Sequence, residues 1–420
     1  MSLVNRHRPE FTDEVPVLNA KVVIVFFLVL TFCTSWVLIT YTYFAFPLLI
    51  ALLAHAARRT VQEIVEWPEE TLPTVAVVVA AYNEQRHIAT KVENTWQLDY
   101  PAERLSLCIG SDGSSDSTPE FLTAAQHPRL TSRLFSERRG KISVLNDLMA
   151  EVDADIVVLS DANTLLAPDS VRKLVRHFQN ENVGCVNGAL SIEHNGGVSG
   201  EGLYWKYELW LKTQESRLGF VIGCYGGILA IRRQLYSPLP ATTIVEDFVL
   251  TMRIMERNRI VRFDPDARAT EPASASSSAE WGRKVRIGAG DYQALGLTKR
   301  MLHPRYGLRA FAYWSHKVLR WMVPFFLLFA LLANCGIILL GNLHGAGLYH
   351  VSLAVQLAGI LVAAIVYRLP AGSGPPPWLR PISFFYLMNF ALLCGFFRWL
   401  RGRQPVTWQQ AARQATGEVS

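Results

Sequence analysis

Charge is what this sequence has little of. Only 18% of its 420 residues are Asp, Glu, Lys or Arg, half are hydrophobic, and the mean hydropathy is +0.18. That balance argues against a purely soluble enzyme and makes membrane spans the first thing to look for. From Val22 to Ala54 there is no charged residue, and as a helix that run would reach roughly 50 Å. One tilted or overlong span fits; two full spans do not. Trp321 to Tyr367 is also free of Asp, Glu, Lys and Arg, with Gly341, His344, Gly345 and Gly347 clustered at its centre. It reads as two spans joined by a tight loop. Ile382 to Phe397 is shorter and fits a tilted or re-entrant span.

Other absences narrow the field further. No small-residue cleavage site follows the first apolar run, where Phe46, Pro47 and Leu48 stand, so the run should remain as an anchor. The six cysteines, Cys33, Cys108, Cys185, Cys224, Cys335 and Cys394, show no metal-ligand spacing and mostly fall in apolar runs. That argues against disulfides and zinc. No Gly-x-Gly-x-x-Gly follows the first strand candidate, which speaks against dinucleotide binding, and no internal repeat is visible. The spans hold almost no ionisable groups, unlike those of a transporter.

The positive excess, +6 overall, is concentrated. Arg283, Lys284, Arg286, Lys299, Arg300, Arg305, Arg309, Lys317 and Arg320 gather just before the second membrane block. Basic residues there suit an anionic cytoplasmic leaflet rather than nucleic acid. The block from about Trp67 to His316 should therefore be cytoplasmic, attached to an inner (plasma) membrane by a multi-pass chain. One anchor plus three spans would place Arg398, Arg401 and Arg403 outside, so the side of the C-terminus stays open.

Within that block Val75 to Ala80, Leu105 to Ile109, Ile156 to Leu159 and Val183 to Val186 are strand candidates separated by polar or helical stretches. The alternation predicts an α/β domain with a mostly parallel sheet and helices on both faces. Ser170 to Phe178 is the best helix, with Val171, Leu174, Val175 and Phe178 on one face behind Pro168-Asp169. Gly202 to Ser216 carries Tyr204, Trp205, Tyr207 and Trp210 among charged residues, a pattern commoner in cores than in ligand platforms. After the polar link Ala273 to Ser278, Trp281, Val285, Gly288, Tyr292 and Leu295 recur at helical spacing opposite basic residues, as in a helix lying in the membrane interface.

Acidic residues follow the apolar runs. Asp112 in Ser-Asp-Gly-Ser-Ser-Asp, Asp161 in Leu-Ser-Asp-Ala-Asn, and Glu246-Asp247 in Ile-Val-Glu-Asp-Phe each come directly after a short β-branched stretch. If those stretches are buried strands, the carboxylates emerge at strand carboxyl ends, where open α/β sheets hold their ligands. A nucleoside diphosphate, a divalent metal and a hydroxyl that must lose its proton would suit such a set.

Taken in order, Ala81-Tyr82-Asn83-Glu84, Asp112-Gly113-Ser114-Ser115-Asp116, Arg139-Gly140-Lys141, Asp161-Ala162-Asn163 and Glu246-Asp247 resemble the membrane-integrated glycosyltransferases of family two. These include cellulose, chitin, hyaluronan and poly-N-acetylglucosamine synthases. The resemblance covers essentially the whole chain and implies a GT-A-type, Rossmann-like domain. It further implies a tail (1–21), an anchor (22–54), the catalytic domain (67–275), amphipathic interfacial helices (276–316), C-terminal transmembrane helices (317–397) and a second tail (398–420).

By resemblance, Tyr82, Glu84, Asp112, Lys141, Asp161 and Arg283 contact the nucleotide-sugar donor, and Arg286 clamps its diphosphate, since guanidinium pairs bidentately with phosphate oxygens. Asp161 and Asn163 stand where the family binds Mg2+ or Mn2+, with Asn163 replacing an Asp; an amide there should weaken metal binding. A hard cation needs only one or two carboxylates when phosphates and waters complete its shell. Asp247, beside Glu246, matches the catalytic base, which takes the acceptor's proton. Cys224, Tyr225, Gly226 and Gly227 match the acceptor loop. At the family's Gln-x-x-Arg-Trp motif the chain has Arg283-Lys284-Val285-Arg286-Ile287, keeping the Arg but lacking the Gln and Trp.

The resemblance implies an inverting, metal-dependent transferase of a hexose or N-acetylhexosamine from a UDP-sugar to a growing β-linked polysaccharide, with translocation across the membrane. The alternative is a single sugar added to a lipid, polyprenyl phosphate or diacylglycerol. Partners are then the donor, a glycan or lipid acceptor and membrane lipids, with no nucleic acid; partner subunits are not specified.

Overall fold

The structure, a computed structural model, describes residues 20–57, 67–193, 200–272, 277–340, 346–369 and 376–402. Most of the two tails, the link 273–276 and the glycine-rich turn 341–345 expected above lie outside those described residues.

Eight strands form one sheet: β1 (Val75–Ala81), β2 (Leu105–Asp112), β3 (Leu130–Phe135), β4 (Ile156–Leu159), β5 (Leu165–Leu166), β6 (Val183–Glu193), β7 (Leu229–Arg232) and β8 (Ile260–Pro272). The helices in chain order are α1 (Ala20–Thr40), α2 (Phe46–Ala56), α3 (Ile88–Trp96), α4 (Thr118–Ala124), α5 (Lys141–Glu151), α6 (Ser170–Val175) and α7 (Gly200–Arg217). After them come α8 (Glu246–Glu256), α9 (Ser277–Leu297), α10 (Leu308–Ala312), α11 (Leu319–Leu340), α12 (Ala346–Arg368) and α13 (Arg380–Leu400).

The strand order is β3-β2-β1-β4-β7-β6-β8-β5. β1 pairs in parallel with both β2 and β4, and β2 with β3. Every residue of β1 is buried, as its unbroken Val/Ala composition requires of a strand covered on both faces. The order turns back on either side of β1, so the crevice at its carboxyl end is where such sheets receive ligands. β7 then enters antiparallel to β4 and β6, while β6 and β8 run parallel.

One apolar cluster covers the face carrying α3 and α6. The other continues from the sheet through α5, α7 and α8 to Phe46 and Ile50 of α2 and to Tyr313 and Trp321, so the domain core and the membrane-side helices share one packed interior. Among the described residues, four helical segments are long and apolar enough to cross a membrane: Ala20–Ala56, Leu308–Leu340, Gly347–Arg368 and Arg380–Leu400. The first is interrupted by a π-helical turn, Tyr41–Ala45, directly before Pro47 in the first turn of α2. Proline cannot donate the next hydrogen bond, and a wide turn is one way to absorb that loss.

α13 packs lengthwise on α9. A Cβ on Gly395 would sit 2.6 Å from the Ala289 nitrogen, one on Gly288 would sit 3.2 Å from the Leu392 Cα, and the Tyr292 and Phe396 rings are 5.1 Å apart.

Candidate active site

The first turn of the site grows out of β1 and β2. Asn83 adopts a positive φ of 56°, a conformation Asn tolerates better than most residues. Its N–H donates to Ser114 Oγ (3.1 Å), and its Oδ1 accepts from the Ser115 N–H (2.8 Å). Gln85 N–H donates to Asp116 (3.0 Å), and Glu84 N–H to Thr118 Oγ1 (2.9 Å). The Tyr82–Glu84 turn and the Asp112–Asp116 turn are thereby one knitted unit.

Asp112 is 1% exposed, and its two oxygens accept the backbone N–H groups of Arg139 (2.6 Å) and Gly140 (2.9 Å). It clips the start of α5 onto β2. Gly113, at φ +62°, lies where a Cβ would meet the Arg138 nitrogen at 2.6 Å, so only glycine fits beneath that clip. The Arg138 guanidinium lies 3.7 Å over the Tyr82 ring. Arg139 turns its side chain to Asp147 (2.7 Å).

Lys141 opens α5 and reaches across to two carboxylates, Asp161 (2.7 Å) and Glu246. Burial opposes its charge, but Asp161 and Glu246 more than offset that and hold it above the ordinary lysine range. A small cleft is lined by Lys141, Ser160, Asp161, Gly226, Glu246 and Asp247. Arg286, half-buried on α9, is held below the ordinary arginine range by burial while lying in the field of Glu246, Asp161 and Asp247. Among the described residues no hydrogen bond or ion pair engages its guanidinium. Arg283 instead forks onto Glu280 (3.1 Å).

Glu246 and Asp247 differ in one respect from the expectation that each carboxylate ends a strand. They begin α8, with Val245 as its N-cap. Acidic groups in a helix's first turn face its positive end, and Ile244-Val245 is too short to pair in the sheet. Burial, reinforced by Glu246, raises Asp247 to about 6, opposed by the Phe248 N–H (2.8 Å), Lys141 and Lys212.

The loop Gly223–Gly227 is held from below by Asn187. Its Nδ2 donates to the carbonyls of Tyr225 (3.0 Å) and Ile228 (2.8 Å), and its Oδ1 accepts from Tyr225 N–H (3.1 Å). A Cβ on Gly226 would touch Asp247 Oδ2 at 3.5 Å, so this backbone lies directly beside that carboxylate. Tyr225 stacks on Trp205 (4.7 Å), with the Lys212 ammonium 3.8 Å over its ring. Cys224, buried next to Cys185, packs beneath the loop.

Asn163 lies 6% exposed, its amide donating to Glu271 (3.2 Å). Among the described residues no group of three or more His, Cys, Asp or Glu could hold a metal. The available donors, one carboxylate from Asp161 and the Asn163 amide, suit a hard cation whose shell is completed by diphosphate and water, and do not suit a protein-only cage.

Several contributors escape a reading by motif. Lys91 is fully buried on the inward face of α3, donating to Ser160 Oγ and the Thr164 carbonyl (both 2.7 Å). Burial lowers it to about 7, against the pull of Asp161. Its only sequence signal is a lysine in the apolar stripe Ile88, Lys91, Val92, Thr95. Lys317 approaches Gly223, whose Cβ would lie 3.2 Å from its Nζ. Asp291, near Trp321, is raised to about 7 by burial, with Lys317 opposing and Asp247 adding. Trp321 in turn packs against Phe248, the residue after Asp247 (5.5 Å).

Comparison with known proteins fits this geometry. A mannosyltransferase from Pyrobaculum calidifontis, solved in complex with GDP-Man and Mn2+, superposes with a TM-score of 0.68 over 89% of this chain and 99% of its own at 22% identity, a likeness of fold. The β-monoglucosyldiacylglycerol synthase of Trichormus variabilis is 28% identical over 237 residues, 53% of this chain and 50% of that protein. The poly-β-1,6-N-acetyl-D-glucosamine synthase of Staphylococcus aureus is 22% identical over 234 residues, 54% of this chain and 56% of that protein. The chain thus spans about half the length of the curated relatives it matches. Residues 73–286, just over half of the chain, match the family described as glycosyltransferase like family 2, and with the carboxylates, the GT-A-type sheet and the apolar helices in place, the chain belongs to that family of glycosyltransferases.

Proposed function

We propose that this enzyme transfers a single hexose or N-acetylhexosamine from a UDP-sugar to a lipid hydroxyl, with inversion at the anomeric carbon. The observation that carries the lipid reading is the wall facing Asp247. Phe248 packs on Trp321 at the head of the apolar helix α11, and Lys317 of the same segment meets the loop Gly223–Gly227. An acceptor reaching Asp247 on that side arrives from the bilayer. The relatives named for diacylglycerol glucosylation make diacylglycerol the first acceptor to try.

In this reading Tyr82, Glu84 and Asp112 shape the nucleotide end. Asp112 does so by fixing the loop that presents Lys141. Asp161 and Asn163 would hold Mg2+ or Mn2+, which supplies positive charge against the leaving diphosphate. Arg286 adds a second, fixed cation at the same place, stronger for being away from bulk water. Asp247 takes the acceptor hydroxyl's proton as its oxygen bonds to C1 and the C1–phosphate bond breaks, releasing UDP and inverting an α-linked donor to a β-linked product. Glu246 holds Lys141 in place and keeps Asp247 basic. Gly226 leaves room for the acceptor beside Asp247.

The catalytic domain is cytoplasmic on this account, with α1, α11 and α12 as crossings. α13 lies in the interface beside α9. Of its partners, Tyr43 near Arg320 (ring contact with Phe385), Trp281 (with Phe390) and Phe325 (with Phe396) belong to the domain-side end of the bundle, while Tyr386 reaches Gly359 midway along α12. In this reading Arg368, Arg380, Arg398 and Arg401 share one side, as the positive-inside rule asks. A reporter fused after Ser420 should read cytoplasmic; an external signal would overturn the assignment.

The decisive experiment incubates the full-length chain in nanodiscs with a panel of UDP-sugars, Mg2+ or Mn2+, and either diacylglycerol or a polyprenyl phosphate. One added sugar mass on lipid is expected. A ladder of lengthening glycan would instead support a polymerising synthase, the activity for which the staphylococcal relative is named.

A further inference from the structure

A half-open chamber of about 680 Å³ lies in the membrane-side half of the molecule, bordered by α11, α12, α13 and Trp281. Pro324, Leu328, Leu331, Ile360, Ala363 and Phe390 line it, and apolar surface dominates. Its size is that of a ligand pocket. The hollow is lined mostly by hydrocarbon, with Gln356, Arg368 and Asn389 among its few polar groups, and such a lining suits acyl chains better than water.

Two helices run from the neighbourhood of the catalytic carboxylates to the wall of the chamber. On α11, Trp321 touches Phe248, and Pro324, three residues on and about 4.5 Å along the axis, already lines the chamber. On α9, Trp281 borders the chamber, with its ring 5.6 Å from Tyr367 and 5.7 Å from Phe390. Arg286, in the field of Asp247, lies five residues further, about 7.5 Å of rise. Arg368 stands at the rim. A lipid held here by its chains would bring its polar end towards Asp247.

We propose that this chamber binds the acyl chains of the acceptor glycerolipid and so measures acceptor chain length. The proposal rests on the lipid-acceptor reading above and adds the place where that lipid is held. It also accounts for a tight lateral packing of α13: Tyr386 lies against Gly359 of α12, where any side chain would collide with its ring and close this end of the chamber.

The test uses the full-length chain in nanodiscs with diacylglycerol carrying a diazirine in one acyl chain. Photolysis should label peptides from 324–331, 356–368 and 386–394, and unlabelled diacylglycerol should compete while phosphatidylcholine should not. Ala363→Trp and Leu331→Trp, which fill the chamber, should raise KM for a long-chain diacylglycerol relative to a dioctanoyl one by about tenfold, the cost of excluding two or so methylenes. Leu361→Trp, on the lipid-facing side of α12 at 60% exposure, should leave that ratio within about twofold. Label spread over the outward face of α12 without competition, or an unchanged KM ratio in folded variants, would overturn the proposal. Should the filling variants not fold, the wild-type labelling pattern decides alone. If no lipid is glycosylated while a soluble glycan is, the lipid-acceptor reading fails, and the labelling still reports whether the chamber takes acyl chains.

Discussion

The donor side and the acceptor side that the proposed function assigns to this site are built by different means. On the donor side, side chains hold backbone: Asn83, Asp112 and Asp116 each fix turns within about 30 residues of themselves, at the ends of parallel strands. On the acceptor side, buried charge holds segments that are far apart in the chain. His316 Nδ1 meets Glu215 (2.6 Å) and Arg320 pairs with Glu208, both across more than 100 positions and nearly inaccessible, and Glu215 also accepts the nearby Ile222 N–H (2.9 Å). The first side, the nucleotide end in the proposed reading, is made by turns at strand ends. The second is a seam between a soluble domain and membrane helices, where an unpaired charge would be costly and pairing therefore fixes the docking.

The sharpest way to break this division is at its meeting point, Asp247. Asp247→Asn should lower kcat by about a thousandfold while donor affinity, measured calorimetrically, changes little, because the proton transfer is an acceptor-side event. Equal loss of donor binding would merge the two sides. Asp112→Ala leaves two buried N–H groups without their acceptor and should cost about 3 kcal/mol in denaturant unfolding, with donor KM rising and acceptor KM unmoved. Arg286→Ala should cost about a hundredfold in kcat, with Arg286→Lys recovering part of it; recovery to the full rate would argue against a bidentate clamp.

Acidity offers a gentler probe. Asp247, held at about 6 by burial and by Glu246, must be ionised to accept a proton. Turnover should therefore fall as pH drops through about 6, reaching roughly a tenth at pH 5, while donor binding follows a different profile. A flat rate between pH 7 and 5 would remove Asp247 from the role. At the small end, Arg133→Ala breaks an exposed pair with Glu151 on the outer strand β3 and should shift stability by less than about 1 kcal/mol, with no change in either KM.

The legible parts of the molecule are those in which neighbours in sequence are neighbours in space. β1, β2 and β4 stand where Val75–Ala80, Leu105–Ile109 and Ile156–Leu159 announce them. β3 and β8 are harder to see. β3 is an edge strand with alternating exposure, and β8, Ile260–Pro272, is rich in charged residues and owes its extension to ten pairings with β6. Lys91, Asp291 and Lys317 escape for a related reason: each is one charge among others on its helix, and only packing reveals that it lies beside the site rather than in water.

What the sequence determined alone was the order of acidic turns after apolar runs, the apolar helices and the basic collar, since each follows from side-chain chemistry repeated over a few residues. What only the tertiary structure decided was which charges share a cavity: that Lys141 bridges Asp161 and Glu246, that Asp247 begins a helix beside Gly226, and that α13 borders a chamber along α9. Those pairings join residues tens to hundreds of positions apart, and their strength depends on exclusion from water, which no local pattern encodes.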